Sequence, residues 1–177
     1  MTVYIILFRG VGGATQLPVK PLRVALAEAR FENVATYINS GNAVVKSSLP
    51  RGKVVTTIAE LCRREFGFEK DIHAPTRSEW KKLIDNNPFP AALKAPKFLH
   101  AAVLARTPDA AKVQALRVFA SGGEKIEVVG KVAYIHTPDG FGTSKLAERF
   151  DKGIGVPNTA RNWNTVSKLM ELADAAA

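Results

Sequence analysis

YINSGNAVV, Tyr37 to Val45, sets four polar residues between two runs of strand-forming side chains, and its reading decides the fold. Gly, Asn and Ser between strand-forming runs are what a tight turn needs, because Gly and Asn tolerate positive φ and Asn and Ser make local hydrogen bonds. The stretch therefore predicts two antiparallel strands, Val34–Ile38 and Ala43–Lys46. Upstream, Val3–Phe8 (VYIILF) is a continuous apolar run of the kind buried on both faces. Between them Val19, Leu22, Leu26 and Ala29 recur at helical spacing over about 18–30. Downstream, Val55, Ile58, Cys62 and Phe66 mark a second helix, and Asp71–Ala74 a short fourth strand. The element order is β-α-β-β-α-β.

The second half repeats that order. Phe98–Leu104 reads as a strand, and Thr107-Pro-Asp opens a helix running to Ser121, with Thr as N-cap and Pro at the first helical position. Ile126–Val129 and Val132–His136 form a hairpin around Gly130-Lys131. Thr143 or Ser144 caps a helix through Phe150, and 156–160 is the last strand. Between the halves, Thr76-Arg-Ser-Glu79 is a capping box opening a connecting helix, which Asn87-Pro-Phe-Pro90 stops. A final helix starts near Asn164. The expected organisation is α+β: two tandem ferredoxin-like subdomains with antiparallel sheets, residues 1–75 and 97–177, joined by a helix and proline-rich linker over 76–96.

Composition points to an ordinary folded, soluble chain, with 46% hydrophobic and 23% charged residues among 177. One cysteine, Cys62, excludes an intramolecular disulfide framework, and the start MTVYIILFRG lacks the pattern of a signal peptide. The expected compartment is the cytoplasm, with no membrane association. A net charge of +9 favours anionic partners. The excess is spread thinly, however: ten basic against six acidic residues in 1–75, and fifteen against ten in 76–177.

The plait brings the end of the first strand to the sheet edge where the hairpin turns. Arg9, Gly10, Gly12 and Gly13 should therefore face Asn39, Ser40, Gly41 and Asn42. Glycine-rich backbone can aim N–H groups at an anion, Arg9 adds a planar charged donor, and the asparagines add amides. The same residues also satisfy a plain turn, so both readings stand. Ser144 and Lys145 could dock a phosphate or only cap a helix. Arg161, Asn162, Trp163 and Asn164 could line a cleft, or serve as N-cap and core cover. His73, His100 and His136 lie far apart without acidic or Cys partners at ligand spacing, so no metal is expected. Neither G-x-x-x-x-G-K-[ST] nor G-x-S-x-G occurs, and no cofactor is expected. Cys62, on an apolar helix face, reads as a buried structural thiol.

F-R-G-V-G-G, Y-I-N-S-G-N-A-V-V, N-P-F-P, P-D-G-F-G-T-S-K-L and T-A-R-N-W-N-T-V-x-K-L occur in order along the chain. Together they resemble the bacterial family "domain of unknown function 1697". That resemblance implies two ferredoxin-like subdomains in tandem, leaves open whether their last strands are exchanged, and implies no activity. Members usually read R-G-I-N-V-G-G in the first loop, where this chain has R-G-V-G-G. Three functions follow as expectations. The first is a noncatalytic binding protein for a phosphorylated small molecule or a nucleic acid, the latter lacking the aromatic pattern of RNA-recognition sheets. The second is a phosphate or acyl-phosphate hydrolase, by analogy with acylphosphatases, which place an Arg in the first loop and an Asn near the end of strand two. The third is a scaffold or protein-interaction module. A monomer is expected.

Overall fold

The computed structural model describes residues 1–12, 15–39 and 41–177. β1 (Thr2–Phe8) is buried from Val3 to Phe8, with Ile5, Ile6 and Leu7 fully sequestered, as its unbroken apolar run requires. It pairs antiparallel with β3 (Asn42–Ser47) from Thr2↔Ser47 to Leu7↔Asn42. On its other side it pairs with β4 (Ile72–His73). β2 (Glu32–Thr36) completes the sheet beside β3, giving the order β2-β3-β1-β4. A register irregularity lies between Glu32 and Ala35, where Asn33 takes a φ of +48°. β2 thus lies at Glu32–Thr36, N-terminal of the expected 34–38.

α1 (Val19–Glu28) buries Leu22 and Leu26, and α2 (Arg51–Phe66) buries Val54, Ile58, Leu61 and Cys62. Gly67 ends α2 in the left-handed region at φ +64°, donating to the Arg63 carbonyl, while Phe68 N–H reaches the Cys62 carbonyl. That pair of bonds satisfies carbonyls the helix leaves open and turns the Phe68 ring edge-on to Phe8, with centroids 5.7 Å apart. Tyr4, Ile6, Phe8, Leu26, Ile58 and Phe68 share one core. Burial pushes the Cys62 thiol up to about 12, so it stays protonated and acts as a small apolar group.

The second sheet contains β5 (Leu99–Leu104), β6 (Lys125–Val129), β7 (Val132–His136) and β8 (Asn158–Asn162) in the order β6-β7-β5-β8, again antiparallel throughout. α4 (Ala110–Arg117) and α5 (Lys145–Gly153) cover it, packing Leu116, Leu146 and Phe150 against Ala102, Leu104 and Ile135. Each sheet keeps its own last strand. α3 (Arg77–Asp85) and α6 (Trp163–Ala175) complete a mixed α+β fold with six α-helices among the described residues.

Several boundaries differ from the expected ones. α4 begins at Ala110 rather than after Thr107: Asp109 is the extended cap residue, with ψ 133°, and the first helical bonds go to its carbonyl. β8 extends to Asn162 and α6 starts at Trp163, so Arg161 and Asn162 are strand residues. The chain forms two compact units, Met1–Lys81 with Lys168–Ala177, and Lys82–Ser167. This division differs from 1–75, 76–96 and 97–177: the end of α6 returns to the first unit. There Asn33 Nδ2 donates to the Ala176 carbonyl at 3.0 Å and Arg77 pairs with Asp174 at 2.6 Å. The expected linker, 76–96, is divided between the units at Lys81, and its end holds the 3-10 turn Pro90–Lys94 and the start of a second, Pro96–Phe98, both in the second unit.

Candidate functional site

The capping box forms as its sequence requires: Thr76 N–H donates to Glu79 Oε2 at 2.8 Å, and Glu79 N–H to Thr76 Oγ1 at 3.2 Å. Arg51 adds a 2.6 Å ion pair to the same carboxylate, and these donors hold the Glu79 carboxyl below its ordinary pKa against the opposing effect of burial. That network anchors α3 and is structural.

At the far end of β1, the first-strand loop and the hairpin turn meet. Phe8 N–H donates to the Gly41 carbonyl at 2.9 Å. Gly41 has a φ of +75°, and a Cβ there would lie 2.7 Å from Val11 Cγ2 and 2.9 Å from the Phe8 carbonyl oxygen. Glycine is required on both counts, conformation and space. Asn42, 2% exposed, donates from Nδ2 to the Tyr37 carbonyl, and Tyr37 N–H donates to the Asn42 carbonyl. Its amide therefore locks the neck of the hairpin. Asn39 is exposed at the tip, beside Ile38, which is 49% exposed and carries a φ of +45°. A β-branched residue in that region is strained.

Arg9 is half-buried, with its N–H donating to the Asp71 carbonyl at 3.0 Å. The next step of the same register sets Gly10, φ +69°, against the side chain of Lys70, whose Cγ would be 3.8 Å from a Cβ at position 10. Lys70 was not among the residues expected from sequence. Its place follows from the antiparallel pairing of Phe8 with Ile72, which carries Gly10 to Lys70 two residues on and has no local sequence signal. Gly12 and Thr15 exchange hydrogen bonds of 2.7 and 3.0 Å, closing a small loop of their own. α1 starts only at Val19, after Pro18, with Pro21 in its first turn. The Gly12 amide is thus occupied within the loop, and the helix terminus does not follow the glycines directly. Gly13 and Ser40 lie outside the described residues.

The other predicted site residues belong to the second unit. Ser144 is buried and accepts from Ala147 N–H at 3.1 Å, the N-cap of α5, with Lys145 exposed beside it. Asn162 Oδ1 accepts from Thr165 N–H at 3.1 Å, capping α6, while Asn164 is exposed. Trp163 is 5% exposed and 6.4 Å from the Tyr134 ring, whose hydroxyl donates to the Leu83 carbonyl at 2.6 Å. Arg161, opposite Ala101 in the sheet, donates to Thr159 Oγ1 and the Ala160 carbonyl, both at 2.8 Å. Desolvation lowers its pKa to about 10, which leaves it cationic at neutral pH.

His100 stacks on Phe141 with centroids 3.9 Å apart, and burial lowers its pKa to about 4. His136 is also lowered, first by burial and then by Lys125. Among the described residues no three His, Cys, Asp or Glu side chains gather as metal ligands. Nor is any helix among them long and apolar enough to cross a membrane.

No curated protein matches the chain. Among solved structures, the conserved bacterial protein SP0830 from Streptococcus pneumoniae is similar over 97% of this chain and 98% of its own, with 20% sequence identity and a TM-score of 0.74. That likeness is one of fold. A family model described as "Protein of unknown function (DUF1697)" matches residues 1–134, a span that includes β1, the hairpin turn and Lys70, and the chain belongs to that family.

Proposed function

We propose that the loop end of the first unit binds an anionic ligand, a phosphorylated small molecule, without catalysing its conversion, in a cytoplasmic protein built from two tandem ferredoxin-like subdomains. The fold part of this reading draws support from the repeated strand order, β2-β3-β1-β4 and β6-β7-β5-β8, around the same element sequence. The binding part is carried by one observation. At equivalent positions the second unit connects β6 to β7 through residues 130–131 and β5 to α4 through 105–109, whereas the first uses 37–41 and 9–18. The fold closes with the shorter loops, so the longer pair serves something besides closure.

Arg9 and Lys70 flank the point where those longer loops touch, and Asn39 stands exposed at the hairpin tip. A phosphate held there would take charge-assisted hydrogen bonds from Arg9 and Lys70 and an amide donor from Asn39. Calorimetric titration with a panel of phosphorylated metabolites at low ionic strength tests the reading. For a ligand that binds, Arg9→Ala should weaken affinity by about tenfold to a hundredfold, the worth of one charge-assisted hydrogen bond. Undiminished affinity in Arg9→Ala and Lys70→Ala, or no binding across the panel, would overturn it. Preference for single-stranded nucleic acid with affinity falling steeply in salt would instead favour the nucleic-acid branch.

A further inference from the structure

A second feature stands apart from those loops. On the helical face of the second unit, α4 and α5 enclose a groove of about 290 Å³. Ala115, Leu116, Phe119 and Gly153 are its apolar lining. A Cβ on Gly153 would come 2.6 Å from Leu116 Cδ2, so glycine is what lets the end of α5 approach α4 so closely. Lys112, Arg149 and Lys152 stand around the opening, with Glu148 as the one acid lining it.

Arg51, Arg77 and Arg117 pair with Glu79, Asp174 and Glu127. Among the described residues, none of Lys112, Arg149 and Lys152 is in an ion pair. Arg149 instead lies over the Phe119 ring, 5.4 Å from its centroid, and Val118 next to it is 81% exposed. The equivalent groove of the first unit, between α1 and α2, is lined by Lys20 with Glu28 and Glu65. Packing two helices on a sheet therefore does not dictate the cationic excess of the second groove.

We propose that the α4/α5 groove binds a small amphiphilic anion: a short aliphatic chain or aromatic ring ending in a phosphate or carboxylate. The apolar body lies against Leu116, Ala115 and Phe119, while the head group meets Lys112 and Lys152, whose methylene stems add apolar cover. Arg149 contributes either a planar pair of donors to the head or continued stacking on Phe119. The volume suits one small ligand, at the lower end of the range for such clefts.

Calorimetry of the full chain with hexyl phosphate, hexan-1-ol and inorganic phosphate, paired with amide-shift NMR to localise binding, tests this. Hexyl phosphate should bind with shifts confined to α4 and α5, and the neutral alcohol and bare phosphate should each bind at least tenfold more weakly. Lys112→Ala with Lys152→Ala should cost at least tenfold, and Ala115→Trp should block the groove; Arg9→Ala should leave this binding unchanged. Lys112, Ala115 and Lys152 are exposed, so their variants test binding rather than folding. Equal binding of hexan-1-ol, equal binding of inorganic phosphate, or no loss in the double lysine variant would overturn the proposal. Binding to anionic phosphatidylglycerol vesicles without binding of hexyl phosphate would overturn it in favour of a membrane surface.

Discussion

In the second unit β6 passes into β7 through Gly130 and Lys131, and the Lys131 carbonyl then accepts from Leu104 N–H of the neighbouring strand at 2.9 Å. In the first unit the corresponding connection takes residues 37–41, strains Ile38, and presses Gly41 onto Val11 and Phe8. One arrangement of strands thus supports a minimal turn and an elaborate one. The difference separates what the architecture needs from what has been added to it, and the additions fall beside Arg9 and Lys70.

The comparison can be strained most severely at the two turn glycines. Gly41→Val should destabilise the first unit by about 2–5 kcal/mol, combining a left-handed backbone with a side chain forced against the Phe8 carbonyl. Gly130→Ala, with φ +59° and open space around it, should cost about 1–2 kcal/mol. Urea unfolding followed by hydrogen exchange in each unit measures both, and equal losses would mean that the first turn is no tighter than the second.

Acid should separate the units next. His100 is uncharged in the fold with a pKa of about 4, and unfolding returns it to about 6.5. Between those values the unfolded chain binds a proton that the native chain does not. Stability is therefore full above about pH 6.5 and falls as pH is lowered toward 4, by up to about 3 kcal/mol. His100→Phe, which keeps a ring against Phe141, should flatten that slope in the second unit's exchange rates; an unchanged slope would remove His100 as the cause.

Smaller effects distinguish neck from tip and cap from ligand. Asn42→Ala strips the buried donor from the Tyr37 carbonyl and should cost about 1–3 kcal/mol, while Asn39→Ala should leave the midpoint unmoved and affect only ligand binding. Ser144→Ala should cost about 1 kcal/mol through loss of the α5 cap, without altering the affinity of any phosphate ligand. A phosphate affinity that falls with Ser144→Ala would put a second anion site at that helix start.

Much of this architecture was legible in the residues. VYIILF announces a strand buried on both faces, Thr76 and Glu79 announce a capped helix, and Asn-Ser-Gly-Asn announces a turn. The meeting of the two loops followed from strand order alone. Other features depend on pairing that no local pattern encodes. Asn-Thr-Ala-Arg-Asn carries little alternation, so the last strand, expected at 156–160, takes its bounds of Asn158–Asn162 from the edge that His100 to Leu104 of β5 offers. Lys70 comes beside Gly10 only through the register of β1 with β4. The basic groove of the second unit arises from two helices distant in sequence, and its charge has meaning only beside its counterpart in the first.

The path of the chain has a consequence for how the molecule is made. Residues 82–167 form an uninterrupted unit, whereas the first unit is assembled from 1–81 and 168–177. On the ribosome, the sheet that carries Arg9 and the hairpin is synthesised first, yet the Ala176 carbonyl that receives Asn33 and the Asp174 carboxylate that pairs with Arg77 emerge only after the whole intervening unit. The first unit begins earliest and is completed last. A fragment ending at Lys81 would lack those closing contacts and would also cut α3, just as excision of 82–167 would divide both α3 and α6.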